Sequence, residues 1–68
     1  MAKSLAERIE TTLKQEEQLG YEACKKLHKG AWSIRKLRYY LNIMYQEIRS
    51  LEDLQYHDGF KRYIEENS

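Results

Sequence analysis

The apolar residues Ile34, Leu37, Leu41, Met44, Ile48 and Leu51 recur at spacings of 3, 4, 3, 4 and 3. That alternation places all six on one stripe of an α-helix, whereas the period of two in a strand would scatter them over both faces. A stripe of this length needs a second helix over it, at the shallow crossing angle of coiled-coil packing. The chain therefore has to be helical and has to pair helices. Its composition agrees: there is no proline and no valine, glycine occurs only at 20, 30 and 59, and Leu, Glu, Lys, Arg, Gln and Ala dominate. The expected fold class is all-α.

Capping chemistry sets the expected helix limits. Ser4-Leu5-Ala6-Glu7 has the form of a capping box, which starts a first helix over about 4–29. Lys25, Lys26, His28 and Lys29 crowd its last turn, where cations meet the negative end of the helix dipole. Gly30 follows, at the position where a left-handed C′ residue is expected. Ser33 caps a second helix over about 33–55. His57-Asp58-Gly59 reads as a turn, and Phe60, Tyr63 and Ile64 share one face of a short third helix over about 59–66. Gly20, which costs about 1 kcal/mol relative to alanine inside a helix, predicts a kink near 18–21. The competing reading is one continuous helix, because Leu13, Gly20, Leu27, Ile34, Leu41 and Ile48 stand seven apart across Gly30. The basic last turn followed by glycine favours an antiparallel hairpin.

A hairpin of this composition does not balance its core. Tyr39, Tyr40, Ile43, Tyr45 and Leu54 lie off the apolar stripe, and in the heptad frame Tyr39 and Ile43 point directly away from it. The first helix offers Leu5, Ile9, Leu13, Leu19, Ala23, Cys24 and Leu27 to cover both faces. A single domain of 68 residues is close to the lower limit for a core that stands alone. The expectation is completion by dimerisation into a helical bundle; the alternative is that the third helix folds back over Tyr39 and Ile43.

Charge is segregated along the chain although the net charge is only +1. Between Ala23 and Gln46 stand Lys25, Lys26, Lys29, Arg35, Lys36 and Arg38 and no acidic residue, while all eleven acidic residues lie in 1–22 and 47–68. A hairpin would gather the six cations at one tip around Trp32 and place the acidic terminus, with Glu7, Glu10, Glu52 and Asp53, at the other end. A basic tip with aromatic neighbours suits phosphates or an acidic partner surface. The plainer reading is a set of solvated helix-end cations with Trp32 stapling the turn.

Catalytic and cofactor chemistry find little support. Cys24 and His28 stand four apart on one helix face, but no second cysteine exists and His57 is the only other histidine, so no zinc ligand set is completed. Nucleophilic use of Cys24 would need an orienting group and an oxyanion hole that no motif supplies. Glu16-Glu17, Glu52-Asp53 and Glu65-Glu66 are adjacent pairs, which a helix splays by 100° rather than pairing as acid and base. The chain contains no glycine-rich phosphate loop. No cofactor, metal or small-molecule substrate is expected, and no enzymatic activity.

Apolar runs are too short to span a membrane, and Met1-Ala2-Lys3-Ser4 lacks the apolar stretch of a secretory signal. A single cysteine cannot form an internal disulfide, and the expected location is cytoplasmic. The expected function is a small non-enzymatic regulator or adaptor acting by protein–protein interaction, with itself or with a larger protein. Lys25, Lys26, Lys29, Trp32, Arg35, Lys36 and Arg38 would form the polar part of the contact surface, and Tyr39 and Ile43 the apolar part. The alternative is RNA or DNA binding by the same basic tip. The expected architecture is similar to that of small plasmid RNA-binding helical-hairpin dimers, with no shared motif and no residue role to transfer. As a class, small regulators and inhibitors of bacterial or phage type share this profile.

Overall fold

A computed structural model describes residues 4–68 as three α-helices: α1 (Leu5–Lys29), α2 (Ile34–Gln46) and α3 (Leu51–Glu66). Met1–Lys3, part of the stretch read above for a signal sequence, lie outside the described residues. Among the described residues there is no strand, and no helix is long and apolar enough to cross a membrane.

Each helix begins at a serine. The hydroxyls of Ser4, Ser33 and Ser50 accept from the amides of Glu7, Lys36 and Asp53, at 3.2, 3.1 and 3.1 Å. These bonds satisfy N–H groups that the first turn leaves without a helical partner. The expected starts near 4 and 33 are therefore found, but the third helix is twice the expected length. Ser50-Leu51-Glu52-Asp53 repeats the capping pattern of the N-terminus, places Glu52 and Asp53 in the first turn, and has the Asp53 carboxylate accepting from the Arg49 amide at 3.2 Å. The second helix stops at Gln46 rather than near 55. His57-Asp58-Gly59, read as a turn, lies inside α3. Of the six-residue stripe only Ile34, Leu37, Leu41 and Met44 belong to α2; Ile48 falls in the connection, and Leu51 opens α3 with 62% of its surface exposed.

The principal partner of α1 is α3, not α2, so the fold is a three-helix arrangement rather than a hairpin with an appendage. Glu16 lines a groove with Asp53 and Tyr56, Gly20 meets Tyr56, and His28 bonds Tyr63. These contacts climb both helices together, so α3 runs in the same direction as α1. α2 runs against both, with Tyr40 beside Phe60 and Tyr45 beside His57. The likeness to hairpin dimers does not survive this topology.

The α1–α3 contact rests on two glycines. A Cβ at Gly20 would overlap the Tyr56 carbonyl oxygen and lie 2.8 Å from its carbon. A Cβ at Gly59 would overlap the Glu17 carbonyl oxygen and lie 2.9 Å from the Tyr21 nitrogen. The obstacles are backbone atoms, which cannot swing aside. Gly20 therefore marks a close helix crossing, and the helix continues through it as part of Leu5–Lys29. Beside the crossing, the Arg62 guanidinium bonds Glu17 and lies over the Tyr21 ring, 4.6 Å from ring centre to Cζ.

The core that this crossing closes contains Cys24, Leu37, Phe60, Tyr63 and Ile64, with Tyr21, Leu27, Trp32, Ile34, Leu41, Met44 and Tyr56 packed around it. α3 supplies three of the five because it lies between the other two helices. Fully buried Phe60 and Leu37 each contribute about 1.5–3 kcal/mol by removal from water. His57 is buried too, and its Nδ1 has no hydrogen-bond partner among the described residues.

The α1–α2 turn inverts the expected roles of its small residues. Gly30 has φ −83°, which any residue adopts, while Ala31 carries the left-handed φ of 85°. The Trp32 amide donates to the Leu27 carbonyl at 3.1 Å and the Ala31 amide to the His28 carbonyl at 3.3 Å. This is the Schellman pattern, with alanine where glycine is usual.

Two stability predictions follow from these sites. Gly20→Ala and Gly59→Ala should each lower stability by about 3 kcal/mol, although alanine is the better helix former by ~1 kcal/mol. In thermal melts followed by circular dichroism that is a fall of roughly 15 °C for a domain of this size. Ala31→Gly should raise stability by about 1 kcal/mol, because the left-handed conformation costs an L-residue roughly 1–2 kcal/mol; a lower melting temperature would contradict this account of the turn.

Candidate interaction surface

The nine residues singled out from sequence divide into three groups. Lys25, Lys26 and Lys29 flank a shallow groove with Glu22 on α1. Their position in the last turns of α1 is favourable to the helix dipole and needs no further explanation. Arg35 and Lys36 lie in the first turn of α2, which holds no acidic residue. There the dipole opposes them, by typically 0.3–1 kcal/mol for each exposed charge. Helix stability therefore does not account for this pair. Arg38 borders a groove between α2 and α3 with Lys61 and Glu65. Among the described residues none of the six cations takes part in an ion pair; the Lys and Arg side chains that do are Lys14, Lys61 and Arg62.

The expected separation of a basic tip from an acidic far end is only partly realised. Because α3 runs parallel to α1, its acidic last turn comes to the basic end. The Tyr21 hydroxyl donates to Glu66 at 2.7 Å, and Glu65 shares the groove with Arg38. The bond to Glu66, with burial adding to it, raises the Tyr21 pKa above the usual tyrosine value.

Trp32 is half-buried and fixed. Its ring stands edge-on to Tyr40, 5.7 Å between centroids at 85°, and the Lys36 Nζ lies 4.3 Å from its centre. Such a cation–π contact is worth about 0.5–1 kcal/mol at an exposed site, and it holds the ammonium in a defined place. The third helix does not fold over Tyr39 and Ile43, which are 69% and 40% exposed, with Tyr40 at 41%. Lys36, Tyr40, Ile43 and Glu47 follow at spacings of 4, 3 and 4 along α2 and into its cap, with Tyr39 beside them. They form one stripe: basic at its start, aromatic and apolar at its centre, acidic at its end.

The acidic end of the stripe opens into a groove that the sequence reading missed. Glu16 from α1, Tyr40, Met44, Glu47 and Ile48 from α2 and its connection, and Asp53 and Tyr56 from α3 line it. Carboxylates rim an aromatic and apolar floor. Burial, followed by the nearby Tyr40, Glu16 and Cys24, raises the Tyr56 pKa. Glu16 and Glu47 take part in no ion pair among the described residues. The spacing from Lys36 to Glu47 was visible in sequence; the approach of Glu16 and Asp53 to it was not.

Cys24 and His28 do not form a joint site. Cys24 is buried in the core, while the His28 Nδ1 shares a hydrogen bond of 2.8 Å with the Tyr63 hydroxyl. Among the described residues no group of three or more His, Cys, Asp or Glu side chains is placed to hold a metal. No protein-family model, no curated protein and no solved structure matches the chain.

Burial pushes the Cys24 thiol up to about 11. At pH 8 roughly one thiol in a thousand would be the reactive thiolate even if reagent could reach it. An aromatic disulfide reagent at pH 8 should therefore label Cys24 slowly in the native protein and at once after denaturation; fast native labelling would refute the buried placement.

Proposed function

We propose that the protein is a small non-enzymatic regulator or adaptor that acts by protein–protein contact through the outer face of α2. The observation that carries this reading is the exposure of Tyr39, Tyr40 and Ile43 side by side on a helix whose opposite face already fills the core. Aromatic residues held at the surface are the residue types that concentrate binding energy when a partner desolvates them. Lys36, set over Trp32, and Glu47 add polar groups on either side. The contact takes place in a reducing compartment such as the cytoplasm, where the single cysteine stays a thiol.

A second reading is supported by the unpaired cations and in particular by Arg35, which the helix dipole disfavours: RNA or DNA phosphates meet the α1–α2 end. Half-buried Trp32, engaged by Tyr40 and Lys36, is poorly placed to stack on a base, which ranks this reading second.

Two variants separate the readings. Tyr39→Asp with Ile43→Asp should abolish complex formation, read as solution mass by light scattering, while leaving the melting temperature within a few degrees because both side chains are exposed. Unchanged assembly would sink the protein-contact reading. Lys26→Glu, Lys29→Glu and Arg35→Glu together should leave assembly intact, and wild-type mass should not respond to a generic RNA and DNA pool. A salt-sensitive complex with that pool, lost in the triple variant, would put the nucleic-acid reading first.

A further inference from the structure

We infer that the partner of the α2 face is a second copy of this chain, docked α2 against α2 in antiparallel register, with the two-fold axis passing between Tyr40 and Ile43. The inference rests on the protein-contact reading and goes further by naming the partner and the register.

The stripe on α2 is complementary to itself in one orientation only. Lys36 precedes Glu47 by eleven residues, roughly 16 Å at the rise of an α-helix. Turned end for end about the midpoint of the stripe, Lys36 of one copy falls opposite Glu47 of the other. Tyr40 then falls opposite Ile43, and each contact occurs twice. A parallel pairing would set Lys36 against Lys36 and Glu47 against Glu47, so charge selects the antiparallel arrangement. A two-fold contact of this kind is closed and uses the same patch on both copies.

Each half of the charge pairing is prepared in the single chain. The Lys36 ammonium is held at 4.3 Å over the Trp32 ring and takes part in no ion pair among the described residues. Glu47 shares its groove with the Glu16 and Asp53 carboxylates, above Tyr40, Met44, Ile48 and Tyr56. An incoming ammonium therefore meets three acidic groups over an aromatic and apolar floor. Tyr39, 69% exposed, flanks the contact and would be covered by it. Covering this face also removes apolar surface that the core of five buried hydrophobic side chains among the described residues leaves in water.

The test is a charge swap read by sedimentation equilibrium. Lys36→Glu and Glu47→Lys should each weaken the dimer by about tenfold or more, since every dimer loses two attractive pairs and gains repulsion. Combining the two restores opposite charges across the interface, and dimerisation should return to within about threefold of wild type. Circular dichroism on each variant checks that the fold is retained, as expected for exposed positions. A monomeric wild type at millimolar concentration would overturn the inference, as would single variants that dimerise normally or a double variant that is not restored. A monomer would still leave the α2 face free for a different protein. The protein-contact reading fails separately, when a complex that the wild type forms, with itself or with another protein, is left unchanged by Tyr39→Asp with Ile43→Asp.

Discussion

Two glycines, thirty-nine residues apart in sequence, let the backbones of α1 and α3 touch, and the rest of the molecule is arranged around that contact. Any larger side chain at Gly20 or Gly59 would have to pass through a carbonyl of the facing helix. With the two backbones in contact, Phe60, Tyr63 and Ile64 reach the same core as Cys24, and Arg62 reaches Glu17. α2 then lies across the pair through Ile34, Leu37, Leu41 and Met44. Its opposite face is left without a helix to cover it. The exposed Tyr39 and Ile43 are thus a consequence of α3 choosing α1 as its neighbour.

The same choice redistributes charge. A hairpin would make the molecule an electric dipole with six cations at one tip. A third helix parallel to the first carries Glu65 and Glu66 to that tip and leaves Glu16, Glu47 and Asp53 grouped at the far end of α2. Cations and carboxylates therefore share the end of the molecule that a hairpin would have made purely basic. Long-range steering toward a polyanion is weaker for such a pattern than for a molecule with all its cations at one tip.

Much of the local structure was legible in sequence. Ser4 and Ser33 announced two helix starts through their hydroxyls, and the apolar spacing from Ile34 to Met44 announced the buried face of α2. Phe60, Tyr63 and Ile64 were recognisable as one face. The departures from expectation share a cause: local signals do not contain the partner helix. Gly59 reads as a turn residue because glycine usually loosens a helix, yet its missing side chain here serves packing. At Gly20 too the missing side chain serves the crossing. The heptad period continues in sequence through Ile48 and Leu51, while the capping pattern of Ser50 and Asp53 ends the register at that point. Of the candidate surface, Tyr39, Ile43 and Lys36 were identified; Glu16, Asp53 and Tyr56 were not, since their approach to Glu47 depends on all three helices.

By itself the sequence determined that this chain is helical, where its first two helices begin, and that α2 has more apolar surface than one neighbour can cover. Hydroxyl capping and the 3.6-residue period are local, so a single strand of text contains them. Only the tertiary structure decided which helices touch, where the acidic groups collect, and which face of α2 stays open. Those outcomes follow from the fit of one backbone against another at Gly20 and Gly59, a steric fact that belongs to neither segment until both are in place.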